Sequence, residues 1–491
     1  MFFPSYKEFI KLSKKGNLIP VYTEIPGDLE TPVSAFLKLS AHTDYGYLLE
    51  SVEGQEKIAR FSFLGGEPKA IIKIKGKNLE IIAKGKNGGF EKRRVIESED
   101  PLAEIKQFMS GFTMAALNSD LRFCGGLVGY IGYDMVRFFE DIPDKNQNTQ
   151  MFPDAFFLLS DTLLIFDHYN HRVKVVSSTF IEDKKPQTLR AAYTNALKQI
   201  EGIIQKLKCQ VKEGTSCAEK KVKINYATPK REFLRMVEKA KGYIKKGDSI
   251  QVVLSQVLSV KIRRTPFDIY RRLRSLNPSA YMFYLKFKDL HLAGSSPEML
   301  VRSEDGVVTT RPIAGTRPRG KTLPEDLRLE KELLKCKKER AEHIMLVDLG
   351  RNDLGKVCSF GSVRVSEFMR IERYSHVMHI VSEVQGRLKA GKDIYDVLRA
   401  AFPAGTVSGS PKVRAMEIID ELESYRRGPY AGAVGYFGFS GNLDTCITIR
   451  TIVIYKNTAF IQAGAGIVAD SKPESEYQET LNKAKAQLEA L

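Results

Sequence analysis

Short apolar runs, cut by glycine and proline turns and followed by helical stretches, limit more than anything else how this chain can fold. Residues 47–51, 59–65, 249–256, 292–301 and 307–311 have strand length and strand composition. Strands in succession with helices appended outside predict an α+β architecture with antiparallel sheets rather than a Rossmann-type alternation. At 491 residues there is room for two or three domains. Composition shifts to Lys, Glu, Gln, Thr and Ser over 183–227, where an amphipathic helix (189–207) runs into a polar linker (208–223). The expected division is therefore 1–221 and 222–491.

Helix signals punctuate the rest. Thr31 caps a helix with Pro32 at its first position, and the helix over 229–246 stops at Gly247. A long helix is expected over 324–346. Ser471, Lys472, Pro473 and Glu474 read as a capping box that starts the C-terminal helix. The glycines of 124–134 have G-x-x-G-x-x-G spacing, which fits close packing in a strand and bend rather than a dinucleotide loop. Six scattered cysteines, with no C-x-x-C pair, read as free thiols. No apolar run approaches the ~20 residues of a membrane span and residues 1–20 lack a secretory core, so a cytoplasmic location is expected.

The net charge of +17 raises nucleic-acid binding as an alternative of another class. However, the basic residues of 331–340 alternate with Glu332 and Glu339, the pattern of a solvated helix face, so no nucleic-acid partner is expected. A dianionic small substrate would still gain from such a field.

Residues 311–320, Arg-Pro-Ile-Ala-Gly-Thr-Arg-Pro-Arg-Gly, predict a rigid turn, because proline lacks a donor and glycine brings no side chain to an extended pairing. The glycine amide, the Thr316 hydroxyl and three guanidinium groups suit a ligand with carboxylates; solvated surface arginines are the other reading. Glu342 shares a helix face with Met345 and Leu346, and as a buried carboxylate it wants a cation, which a neighbouring lysine could equally supply. Glu476, Glu479 and Lys483 fall on one side of the C-terminal helix. Residues 405–412 form a glycine-bearing loop entering a helix, with Ser410 as cap and Pro411 first, and the loop amides make a generic anion site. Gln251 sits inside an apolar strand and wants a partner. Arg450 ends an apolar strand over 446–454, reaching either a ligand carboxylate or an interstrand one. His379 and His376 lie three apart in a strand-like run, where a histidine is either structural or catalytic.

Several of these stretches resemble anthranilate synthase component I, a family of chorismate-utilising enzymes. Residues 312–320 match its PIAGTRPRG signature, 48–51 its LLES strand, 125–134 its GGLVGYIGYD wording, 277–283 its NPSPYMF segment and 374–384 its YSHVMHIVSEV run. The likeness spans about residues 20–485. The sister family, aminodeoxychorismate synthase component I, is the alternative; it has a lysine nucleophile where this chain has Ala314, whose methyl group cannot attack. Water-adding relatives carry a lysine base at the position of Gln251, so glutamine there implies addition of ammonia.

The resemblance implies two packed antiparallel sheets flanked by helices, and a site divided into four groups of residues. Mg²⁺ would be held by Glu342 and Glu479. Chorismate would be contacted by Gly315, Thr316, Tyr430, Arg450, Gly464, Ala465, Gly466 and Lys483. Catalysis would fall to His379 as general acid, with Thr406, Gln251 and Glu298. Tryptophan would inhibit at Ser51, Ala280, Tyr281 and Met282, although Ala280 stands where the family usually has proline. The implied reaction converts chorismate and ammonia to anthranilate and pyruvate, the first committed step of tryptophan biosynthesis. Cys124 lacks the flanking pattern of a glutaminase nucleophile, so a separate glutamine amidotransferase subunit is expected in a hetero-oligomer.

Overall fold

The structure, a computed structural model, describes residues 1–51, 60–85, 89–115, 121–146, 152–210, 223–374 and 377–491. His376, Cys217 and the expected boundary at 221/222 lie outside the described residues. Two large sheets, of 13 and 12 strands, pack face to face, and every ladder between their strands is antiparallel. The expected α+β class and the two packed sheets are both found. Among the described residues no helix is long and apolar enough to cross a membrane.

Strand alternation explains the packing, because successive side chains point to opposite faces. In strand Tyr281–Phe287, Phe283, Leu285 and Phe287 enter the layer between the sheets, while Met282 and Tyr284 face a helix-covered core. Phe287 stacks on Phe156 of the other sheet, with ring centroids 4.1 Å apart. Both sheets take strands from either side of the 221/222 boundary: Tyr45–Glu50 pairs with Tyr281–Phe287 in one, and Gly126–Ile131 with Ala433–Gly438 in the other.

Two short crossovers carry the chain between the sheets. Strand Leu290–Ser296 lies in the first sheet and Met299–Glu304 in the second, joined by Pro297 and Glu298. Strands Leu443–Ile447 and Thr451–Tyr455 make the reverse passage through residues 448–450. The crossovers run side by side: Ser296 Oγ donates to Ile447 O at 2.7 Å, Ile447 N to Glu298 O at 3.0 Å, and Ser295 N to Arg450 O at 3.1 Å.

The structure corrects five local expectations. Residues 311–320 are not a free turn: strand Ile313–Pro318 pairs with Val377–Arg387, with a register shift between Ala314 and Thr316. Gly315, at φ +67°, supplies the bulge, and the prolines lie at or beyond the strand ends, where a missing donor is tolerated. The long helix is broken into Leu323–Lys335 and Lys337–Gly355 by extended Cys336, with no proline or glycine to announce it. Ser410 is no cap; Gly409–Ser410 pairs with Gln251 and Val252, so these amides serve a sheet rather than an anion, and Pro411 precedes helix Lys412–Leu422. Helix Pro473–Ala490 has Pro473 in its first turn, but Lys472 is its cap residue, and the Ser471 hydroxyl accepts from Val468 N instead. Arg450 does not end a strand: it sits in the crossover at φ +52°.

One ion pair locks this arrangement. Arg427, fully buried, donates from Nε to Glu423 Oε2 (2.9 Å) and from Nη2 to Glu423 Oε1 (2.6 Å), while Nη1 reaches Val407 O (2.6 Å) and Nη2 Val253 O (2.7 Å). Glu423 also accepts from Ser255 N and Oγ, each at 2.8 Å. Replacing Arg427 by methionine leaves a buried carboxylate with Ser255 but no counter-charge, and takes one donor from each of two carbonyls. R427M is expected to lose about 3–5 kcal/mol of stability, read as a lowered midpoint of urea unfolding; an unchanged midpoint would show that the pair locks nothing.

Candidate active site

A cleft of about 3010 Å³, open to solvent, lies where the crossovers meet helices Lys337–Gly355 and Pro473–Ala490. It brings together His379, Thr406, Gln251, Glu298, Gly315, Thr316, Tyr430, Arg450, Gly464, Gly466, Lys483, Glu342 and Glu479. Ala465 is the exception: it is fully buried on the opposite strand face, against a helical core. Strand alternation puts Gly464 and Gly466 toward the cleft and Ala465 away from it.

Gly464 and Gly466 keep this wall thin. A Cβ at Gly464 would come within 2.7 Å of the Tyr430 hydroxyl, and one at Gly466 within 2.3 Å of Gln251 Nε2. Opposite, Lys483 Nζ reaches Gly464 O at 3.0 Å and Glu479 at 2.7 Å. Arg450 donates from Nη1 to Lys483 O at 2.5 Å and pairs with no carboxylate among the described residues, so the interstrand salt bridge is not found. Burial pushes its guanidinium below its ordinary value.

The acidic groups behave in the complementary way. Glu342 is half-buried; burial first, then Glu339, and also Glu479, push its carboxyl up. Glu476, on the same helix face as Glu479, is likewise pushed up by burial and then by Glu479. A cation would relieve both. Among the described residues no three His, Cys, Asp or Glu side chains form a ready metal cage, so an ion here would rest on two carboxylates and complete its shell with water and ligand oxygens.

Glu298, on its crossover, is buried, and burial pushes its carboxyl up to about 8. The Thr406 hydroxyl beside it works against that rise, although Oγ1 makes no full hydrogen bond with any described residue. Burial thus favours the protonated carboxyl of Glu298 at neutral pH. His379 is different: burial lowers its pKa, and Nδ1 lies 2.9 Å from Gly315 O and 3.1 Å from Thr316 Oγ1. A carbonyl only accepts, so Nδ1 holds the proton and Nε2 is left as an acceptor. That geometry fits poorly with His379 as an acid.

The three guanidinium groups of the 311–320 stretch are engaged elsewhere. Arg311 pairs with Glu372 and Glu383, Arg317 with Glu332 and Glu339, and Arg319 with Asp326. Arg317 and Arg319 fasten the edge strand to its helices, and Arg311 fastens its start to neighbouring strands. Lys338, Glu339 and Gln462 also line the cleft and were missed, because nothing in their local pattern separates them from surface residues.

A second cavity gathers Ser51, Ala280, Tyr281 and Met282 with Glu50, Arg302 and Asp444. Ser51 Oγ donates to Ala280 O at 2.7 Å. Tyr281 donates to Asp444 Oδ1 at 3.0 Å, and Arg302 pairs with Asp444 at 2.7 Å. Asp444 lies on a strand that runs directly into one crossover, and Tyr281 pairs with Ser296 where the other begins.

The profile of the chorismate binding enzymes matches residues 48–489, and the chain belongs to that family. A protein of Aquifex aeolicus (strain VF5) named anthranilate synthase component 1 is 50% identical over 99% of this chain and 97% of its own length. The crystal structure of anthranilate synthase component I from Streptococcus pneumoniae TIGR4 superposes with a TM-score of 0.78 at 37% identity, covering 94% of this chain and 98% of that one. A menaquinone-specific isochorismate synthase of Escherichia coli shares the fold, with a TM-score of 0.69 at 19% identity over 99% and 98% of the two chains.

Glu298 gives a signed pH test. Its carboxyl ionises near 4.5 when unfolded and near 8 when folded, so its contribution to stability is greatest below 4.5 and declines as pH rises toward 8. E298Q is expected to raise Tm at neutral pH while lowering kcat roughly 10²–10⁴-fold, and wild-type kcat should fall as pH passes about 8. A stable variant with unchanged kcat would remove Glu298 from the chemistry.

Proposed function

We propose that this chain is the ammonia-using synthase component that converts chorismate to anthranilate and pyruvate. The observation that carries the reading is the cleft itself: Glu342 and Glu479, from distant parts of the chain, share it with Arg450, Gln251 and a protonated Glu298. The relatives named anthranilate synthase component 1, matched over nearly their whole length, support the same substrate and product.

In this reading ammonia forms a bond to C2 of chorismate while the C4 hydroxyl leaves as water. Glu298 gives the departing hydroxyl its proton, a role better suited to it than to His379, because burial keeps the carboxyl protonated and the imidazole neutral. Gln251, which cannot act as a base, orients the incoming nitrogen. Loss of the C2 proton and of pyruvate then makes the ring aromatic. Arg450, Lys483, Tyr430 and the bare backbone of Gly464 and Gly466 hold the enolpyruvyl carboxylate, and Gly315 and Thr316 position His379 against the ring. Glu342 and Glu479, with Glu476 beside them, would hold Mg²⁺, whose charge when bound offsets that of the ring carboxylate. Thr406 keeps Glu298 in place.

Every residue that lines this cleft falls between 250 and 487, which supports 222–491 as the catalytic segment. The cavity at Ser51, Ala280, Tyr281 and Met282 draws on both segments and is read as the seat of tryptophan feedback. Ammonia is assigned to a separate glutamine amidotransferase subunit. In support, the buried thiols of Cys124 and Cys358 are pushed up to about 12 and about 11 by burial, the reverse of an activated nucleophile. The assembly would act in the cytoplasm.

The purified chain, given chorismate, ammonium and Mg²⁺, is expected to yield the fluorescence of anthranilate, and glutamine alone should not replace ammonium. Accumulation of aminodeoxychorismate, or no turnover, would sink the reading. E479Q should raise the Mg²⁺ concentration for half-maximal rate about tenfold or more, as the loss of a carboxylate that holds or orients the ion does. Ser51→Phe should relieve inhibition by tryptophan without changing kcat; inhibition that persists in this variant would place the feedback site elsewhere.

A further inference from the structure

Behind Tyr430, between the two sheets, a smaller cavity shares Tyr430 and Gln462 with the catalytic cleft. Its other walls include Thr448, Arg427 and the apolar side chains of Phe152, Val257 and Phe460. Thr448 is 0% exposed, and its Oγ1 has no hydrogen-bond partner among the described residues. Its backbone is fixed: Thr448 N donates to Gly432 O and Thr448 O accepts from Ala431 N, both at 2.9 Å, so the residue is tied to the turn that carries Tyr430. Gln462 uses Nε2 on Ser255 Oγ at 2.9 Å and keeps Oε1 as an acceptor. Burial holds the Tyr430 phenol up to about 12, so it stays an O–H that can donate and accept.

Three groups of mixed polarity thus surround a space with room for a molecule the size of water. A buried hydroxyl left unpaired is costly, and native proteins satisfy such groups with protein or ordered small molecules. A cation is disfavoured by the fully buried Arg427 guanidinium, and an anion by Glu423 against it and by the apolar walls. We propose that this cavity binds one neutral, water-sized molecule that both donates and accepts hydrogen bonds, water or ammonia, held by Thr448 Oγ1 and Gln462 Oε1 against the Tyr430 hydroxyl. The occupant accepts or donates at the back of the phenol and so fixes which way its O–H points in the cleft. Thr448 is accordingly a positioning residue that acts through Tyr430; this link to catalysis rests on the chorismate reading above, whereas the cavity's occupancy does not.

Thr448→Val in the full chain keeps the volume and removes the anchor. If water is the occupant, KM for chorismate should rise about 3–10-fold, the worth of one hydrogen bond, with kcat and KM for ammonia unchanged. If ammonia is the occupant, KM for ammonia should rise instead. Thr448→Ser, which keeps the hydroxyl, should behave as wild type in either case. A T448V variant with higher Tm and both KM values unchanged would overturn the proposal, since the hydroxyl would then be only an unpaired burden. Crystal structures judge occupancy without any turnover: an ordered molecule within hydrogen-bond distance of Thr448 Oγ1 in wild type and its loss in T448V support the site, and an empty wild-type cavity overturns it. A wild-type chain that fails to use chorismate would sink the proposed function but leave that crystallographic result standing.

Discussion

The buried pair of Arg427 and Glu423 is the constraint on which the rest of the molecule depends. Its guanidinium holds Val253 O on one strand and Val407 O beside Thr406, while the carboxylate holds Ser255 on the first of these. The same guanidinium lies 4.7 Å from the ring centre of Tyr133 and 5.7 Å from that of Tyr430. A charge so deep is tolerated because nearly every donor has an acceptor, the condition under which a buried ion pair is not a net loss. Through it the strand bearing Gln251, the segment bearing Thr406 and the turn bearing Tyr430 become one rigid wall of the cleft. The N-terminal half braces that wall: Tyr133 N donates to Gly428 O at 2.7 Å, and Asp134 accepts from Gly428 N at 2.9 Å.

On this frame the cleft is divided by burial and charge. Burial pushes the Glu298 carboxyl up; burial and then nearby carboxylates, Glu479 among them, raise Glu342 and Glu476, which would gain from a shared ion; Arg450 pairs with no carboxylate among the described residues. One chemical type, the carboxyl group, thus takes two roles according to what surrounds it. The arginines of the 311–320 strand carry no part of this, since each is tied to a carboxylate on the helices or on the neighbouring strand.

The crossovers also run between two cavities, which share no lining residue. Tyr281 lies opposite Ser296 in the antiparallel register, two residues before Glu298, and Asp444 lies on the strand that leads through Ile447 to Arg450. Side chains that line the Ser51 cavity are thus joined to Glu298 and Arg450 by a few residues of strand, with no hinge between. A close-packed interior has low compressibility and transmits strain.

Local pattern determined much of this protein by itself. Strand-length apolar runs gave the sheet class, proline and threonine marked the helix at Pro32–Ser40, and helical spacing placed Glu342 with Met345 and Leu346, and Glu476 with Glu479 and Lys483. Those features depend only on periodicity and on backbone donors, which are written in neighbouring residues. Only the tertiary structure decided that 313–318 is an edge strand, that Arg450 sits in a crossover, that Ala465 turns its back on the cleft, and that burial pushes the Glu298 carboxyl up and the His379 imidazole down. Each of these turns on which distant segment lies alongside, and burial, pairing and pKa are set by that company rather than by the residue's own place in the chain.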